Sequence, residues 1–231
     1  MTAGNKIPKL VALVPMRHES ERVPGKNYRE LAGKPLYAYI LDTLQQCPEI
    51  EQIVVDTDSP IIMHGIRTDF PGVVLLDRPQ HLRGGNVPMN QVLIHDVAEV
   101  PAQFYLQTHS TNPLLKAGTI SKALEKYFAA FPDNDSLFSV TQLQARLWSA
   151  ETEPLNHDPA ELVRTQDLAP VFVENSCLYV FERESFLQLG NRIGDNPIKF
   201  EIEPNEAIDI DQESDFAVVE CLSQSAATSP R

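Results

Sequence analysis

The chain has 231 residues, of which 42% are hydrophobic and 22% charged, enough to bury one substantial α/β core. A formal charge of -13 argues against a nucleic-acid surface, which needs a basic face along its length. No apolar run is long enough to cross a bilayer and the first ten residues lack the apolar stretch of a secretory signal, so the expectation is a cytoplasmic protein without a membrane partner.

The first predicted element is an apolar strand over 10–15. It runs into a basic loop holding Arg17, Arg22, Lys26, Arg29 and Lys34, five of the chain's 19 lysines and arginines. Positive charge concentrated against an acidic background is most simply explained by a polyanionic ligand. Sheets of this class bind ligands beyond the carboxyl ends of their strands, where arginine grips phosphate oxygens as a fork and lysine adds a mobile charge. Charge alone fits a solvated basic loop equally well. The loop is not a Walker motif, because Gly33-Lys34 is followed by Pro35-Leu36 where a hydroxyl residue is required.

Further along, helical spacing of apolar residues predicts helices over 35–46, 89–98, 118–130 and 212–222. Short apolar runs predict strands over 52–56, 73–76, 103–107, 136–141, 176–181 and 199–202. The alternation is that of βαβ units and predicts a Rossmann-like α/β fold with a mostly parallel sheet, in one domain over 1–231. Residues 142–170, rich in Pro, His, Asp and Glu, break the rhythm and read as an insertion, a dimerisation arm or a lid. The polar tail from 223 is expected to fray. Cys47, Cys177 and Cys221 are odd in number and far apart, which points to reduced structural thiols and no zinc site. None of the six histidines is spaced as a metal pair, and His157 fits a structural or interface role in the insertion.

Two further clusters carry chemistry. Asp209 and Asp211, at i and i+2 on an extended segment, project to one face and suit a hard cation such as Mg²⁺ shared with phosphates. Seven acids and no base from 201 to 215 equally describe a solvated acidic edge. A phosphate loop elsewhere in the chain favours the metal reading, since metal-assisted transfer needs both parts. Asp215 fits a cap on the following helix. The segment from Gln107 to Asn112 gathers small hydrogen-bonding groups at a strand's carboxyl end, suited to sugar hydroxyls. A turn packed for backbone reasons fits it too.

The pattern P-x-R-x-x-S-x-R-x-P-G-K-N-x-x-x-L-x-G-K-P-L, from Pro15 to Leu36, resembles the opening signature of the cytidylyltransferases that activate 2-keto-3-deoxy sugar acids, the CMP-N-acylneuraminate (sialic acid) and CMP-Kdo synthetases. Thr57-Asp58-Ser59, Arg78-Pro79 with Leu82, LQTHSTNPLL from Leu106, VENSCLYVF from Val173 and IDIDQESDF from Ile208 resemble that family's later motifs in matching order. The resemblance implies a three-layer α/β/α nucleotidyltransferase fold with a small dimerisation arm, and a homodimer. It implies transfer from CTP to a sialic acid-like 2-keto sugar acid, with Mg²⁺ as cofactor and pyrophosphate as by-product.

Carried over by position, Arg17, Arg22, Lys26, Asn27, Arg78 and Asn86 face CTP, Gln107, Arg164 and Asn175 face the sugar, and Asp209 and Asp211 hold the metal. Arg17, Lys26 and Asp211 are the expected catalytic groups. Arg164 fits a salt bridge to Glu161 or Asp167 almost as well. Three departures from the family pattern stand out. HESER replaces small or polar residues, the loop over 83–90 offers Asn86 and Asn90 where the family carries an Asp-Thr or Asp-x-Ser pair, and His109, readable as a mere loop residue, replaces a proline. The alternatives are a different acceptor, Kdo-like or non-sialic, or a CTP-binding regulatory protein without turnover.

Overall fold

The computed structural model describes residues 7–228. In chain order the elements are β1 (Leu10–Leu13), β2 (Glu30–Leu31), β3 (Lys34–Pro35), α1 (Leu36–Gln45), β4 (Ile50–Thr57), α2 (Pro60–Asp69), β5 (Val74–Asp77), α3 (Met89–Glu99) and β6 (Phe104–Gln107). They continue with α4 (Ala117–Ala130), β7 (Ser136–Leu143), β8 (Val171–Glu182), α5 (Arg183–Leu189), β9 (Pro197–Glu201) and α6 (Glu213–Thr228). Seven strands form one sheet in the order β5-β4-β1-β6-β8-β7-β9. β1 lies parallel to β4 and β6, while β8 runs antiparallel to both β6 and β7. This is the predicted three-layer, mostly parallel architecture.

Every residue of β1 is buried, because the sheet is covered on both faces. Leu10 and Ala12 join a core with α1, α2 and α4, whereas Val11 and Leu13 pack on the other face with Leu93, Val97 and Phe186. A smaller cluster of Val23, Leu31, Leu36, Ile210, Phe216 and Val219 ties the basic loop to the segment before α6 and to α6 itself. That cluster brings the two ends of the chain's chemistry together across nearly 200 positions of sequence. β2 and β3 form a minimal hairpin across Ala32 and Gly33, both at positive φ (48 and 87), as a two-residue turn of this hand requires.

Three expectations are corrected. Helices α2 and α5 fall where no helix was predicted; α2 is started by the Ser59 hydroxyl, which accepts from Ile62 N at 3.3 Å, with Pro60 in its first turn. The tail does not fray at 223, since α6 continues to Thr228; residues 229–231 lie outside the described residues. β8 begins at Val171, five residues before the predicted start, and pairs with the far half of β7 across a register shift near Phe138 and Val140. The segment between β7 and β8 carries only a short 3-10 turn at Thr165–Asp167 and an isolated bridge between Trp148 and Pro154. Cys47 and Cys177 are buried, and burial pushes both thiols up to about 12. No helix among the described residues is long and apolar enough to cross a membrane.

Candidate active site

The carboxyl ends of β1, β4 and β6 open into a cleft of about 410 Å³. Arg17, Arg22, Lys26, Asn27 and Arg78 line it together with Asp209 and Asp211, so the basic loop and the two acids meet as the sequence implied. Gly85 also lines the cleft, close to the ends of two side chains of the basic loop; a Cβ there would fall 3.0 Å from Arg17 Nη1 and 2.8 Å from Glu21 Oε1.

The acids and bases are already engaged with one another. Arg22 Nη2 donates to Asp211 Oδ1 at 2.8 Å, and Lys26 Nζ donates to the same oxygen at 3.3 Å and to the Ile210 carbonyl. Asp215 accepts from the backbone N–H of Asp211 and of Gln212, at 2.9 and 2.8 Å, which makes it a brace for the acidic turn at the start of α6 as anticipated. Asp209 Oδ1 is buried with no hydrogen-bond partner among the described residues. Burial and the neighbouring Asp211 hold the Asp209 carboxyl above the usual carboxylate range, against the pull of the Thr111 hydroxyl, Lys26 and Arg22. An orphaned carboxylate oxygen beside a second acid is a donor set suited to a hard divalent cation.

Asn27 engages the scaffold through both ends of its amide. Its Nδ2 donates to the Arg17 carbonyl at 2.7 Å and its Oδ1 accepts from Ser110 Oγ at 2.8 Å, locking the basic loop to the loop after β6. Arg78, 2% exposed, is gripped by Asp56. Asn86 is exposed, and its neighbours Gly84, Gly85 and Val87 line the cleft. Asn90 Nδ2 donates to Asn191 Oδ1 at 3.0 Å, tying the start of α3 to the loop before β9.

That loop supplies Arg192, a site residue that no motif pointed to. Its guanidinium lies 3.5 Å from the centroid of the Tyr179 ring, and its Nη1 donates to Gln107 Oε1. No carboxylate lies within 4.0 Å of it among the described residues, although it faces Glu174, and burial lowers its pKa. Because arginine can only donate, the Gln107 amide is oriented with its Nε2 toward the Thr108 carbonyl and His109 Nε2, both at 3.0 Å. His109 must accept there. Burial, Arg192 and Lys26 hold His109 down to about 3, so it is neutral, and it is a wall of the cleft and not the bystander its loop position suggested.

A second cleft of about 510 Å³ adjoins the first and shares Ser176, Asp209 and Asp211 with it. Thr141, Gln142, Glu174 and Asn175 line it, and no lysine or arginine does. Asn175 accepts from Ser139 Oγ at 2.6 Å and donates to Thr141 Oγ1 at 2.9 Å, which pins the irregular pairing of β7 and β8. Ser176 beside it has φ 58, a conformation rare outside glycine, and such strain concentrates at functional sites. Arg164 lines neither cleft. It is exposed and forks onto Asp167 at 2.6 and 3.1 Å, the salt-bridge alternative anticipated from the sequence.

The family model described as cytidylyltransferase matches residues 11–229. A CMP-N,N'-diacetyllegionaminic acid synthase of Legionella pneumophila is 28% identical over 93% of this chain and 96% of its own. N-acylneuraminate cytidylyltransferase A of Danio rerio is 24% identical over 90% of the chain; the match spans 49% of that relative, about half its length. Among solved structures, a CMP:2-keto-3-deoxy-manno-octonic acid synthetase complexed with CTP superposes with a TM-score of 0.68 over 94% of this chain and 99% of its own, at 16% identity, a likeness of fold.

Proposed function

The chain belongs to the cytidylyltransferase family, and from that premise we propose that it joins CTP to a 2-keto-3-deoxy sugar acid of the sialic or legionaminic kind, forming a CMP-sugar and pyrophosphate. The observation that carries this reading is the meeting of two clefts at Asp209 and Asp211, one lined with cations and one without. The first suits a triphosphate, the second a neutral polyol body.

In the proposed reaction the acceptor's anomeric hydroxyl oxygen forms a bond to the α-phosphorus as the bond to the bridging oxygen of the β-phosphate breaks. The hydroxyl proton passes to solvent and pyrophosphate leaves carrying the electron pair. Arg17, Arg22 and Lys26 stabilise the charge that builds on the leaving group, once the phosphates have replaced Asp211 as the partner of Arg22 and Lys26. Ser110 and Asn27 hold the loop that carries Arg17 at its working distance. Arg192, stacked on Tyr179 in the wall of the first cleft, takes the acceptor's carboxylate, the role that the family resemblance gave to Arg164. Gln107 then acts by orienting Arg192. Asp209 and Asp211 would hold a divalent cation, Mg²⁺ being the natural choice for carboxylate and phosphate oxygens, and when bound it would withdraw charge from the α-phosphate and acidify the attacking hydroxyl.

Pyrophosphate release from CTP, measured with a panel of 2-keto sugar acids, tests the proposal. Release with at least one acid is expected. Silence with all of them, alongside measurable CTP affinity, would instead make the protein a CTP-binding regulator.

The segment between β7 and β8 is proposed to pair two copies. It exposes Trp148 by 48%, Leu155 by 63% and Leu162 by 94%, an apolar display that a monomer leaves in water. A dimer is expected by sedimentation, converting to monomer in the double variant Leu155→Ser, Leu162→Ser. A wild-type protein that sediments as a monomer at micromolar concentration rules the arm out.

A further inference from the structure

Behind the nucleotide cleft lies an ionisable cluster that the reaction leaves unused. Asp56 at the end of β4 is fully buried, and Asp96 on α3 is 1% exposed. Asp56 Oδ1 accepts from Arg78 Nε, and the Asp56 carbonyl accepts from Arg78 Nη2 at 3.2 Å. Asp56 Oδ2 and both Asp96 oxygens are buried with no hydrogen-bond partner among the described residues, and the two carboxyls lie close enough for one to bond the other when protonated. A ligand atom from each of Asp56, Asp96 and His95 lies within 4.8 Å of the others. The charged groups facing Asp96 are Asp56 on β4 and Arg78 beyond β5, with His95 its neighbour on α3.

Two buried carboxylates against one guanidinium leave a net negative charge, which a site this dry does not tolerate. One proton neutralises it. A divalent cation would overshoot, because Arg78 already abuts Asp56. We propose that Asp96 is a positioning residue that keeps its proton and donates it to Asp56, so that the pair meets Arg78 with a single negative charge and fixes the guanidinium at the wall of the cleft. Burial first, and then Asp56, push the Asp96 carboxyl up to about 9, with Arg78 pulling the other way, in agreement with that geometry.

The function assigned to Arg78 rests on the proposed nucleotide cleft, so the test has one arm that needs no nucleotide. Asp96 keeps its proton in the fold where the unfolded chain loses it. Its contribution to stability is therefore complete below about pH 4 and is lost progressively up to about pH 9. The stability gap between Asp96→Asn and wild type, read from denaturant midpoints, is expected to widen in the variant's favour between these limits. A constant gap overturns the shared proton, whatever the protein binds. In the second arm, wild-type CTP affinity falls by about tenfold from about pH 8 to about pH 10 as Asp96 ionises, and Asp96→Asn, which holds a donor at every pH, removes that fall. A variant profile parallel to wild type overturns the positioning role. So does a stoichiometric divalent metal on the purified wild type that Asp96→Asn lacks. Absence of CTP binding at every pH defeats the nucleotide reading while the stability arm still decides the proton.

Discussion

Replacing Asp211 by Asn is expected to cut turnover by roughly a thousandfold, the scale on which single electrostatic groups in such sites act, while leaving CTP affinity within a few-fold. Asparagine keeps an oxygen that accepts from Arg22 and Lys26, so the basic cradle stays in place. The negative charge is what disappears, and with it the capacity of the Asp209 and Asp211 pair to hold a cation. Asp209 cannot compensate alone, since it offers a single carboxylate where the pair offers two. The measurement is pyrophosphate release in parallel with calorimetric CTP binding. Wild-type turnover in the variant removes Asp211 from the chemistry; loss of binding and turnover together makes it a structural clasp.

The second large effect is at Arg192. Methionine preserves length and apolar contact with Tyr179 but removes the charge, and a hydrogen bond to a charged group contributes about 1.5 to 3 kcal/mol, so KM for the sugar acid should rise roughly 10- to 100-fold. KM for CTP should hold, because Arg17, Arg22 and Lys26 are untouched. The preference for the acid over its carboxamide should collapse in the same variant, which a loss of packing alone does not produce. A shift in the CTP constant instead places Arg192 on phosphate.

These two residues also mark how far the sequence could be read. Asp211 was legible because it sits in a short motif whose partner loop is equally recognisable and whose residues need only an extended backbone to share a face. β1, β4 and β6 were legible for a related reason: burial on both faces makes a strand's apolar run continuous. α2 buries only Ile62 and Ile66, too narrow a stripe to stand out. It also carries Gly65, a poor helix former, at a place where a Cβ would sit 2.0 Å from the Tyr37 hydroxyl oxygen. The first half of β8 is partly exposed on both faces, so its pairing with β7 left no period-2 signature. Arg192 lies in a loop without pattern and reaches Gln107 across 85 positions, a contact created only by β8 entering the sheet antiparallel beside β6. The loop chemistry of Asn27 was visible, but its use as a strut depends on Ser110, 83 positions away.

The pairing of Asp211 with Arg22 and Lys26 has a kinetic meaning. In the empty protein this carboxylate sits where phosphate oxygens are proposed to go, acting as an internal competitor for the cradle. Arg22 and Lys26 therefore have an anionic partner before any ligand arrives, and an arriving triphosphate would exchange one anionic partner for another. On departure of pyrophosphate, as proposed, the exchange would run backward and Asp211 would reclaim Arg22 and Lys26. Built-in competition of this kind lowers ground-state affinity for the nucleotide and for the polyanionic by-product alike, and it keeps a strongly basic pocket from being clogged by what it releases.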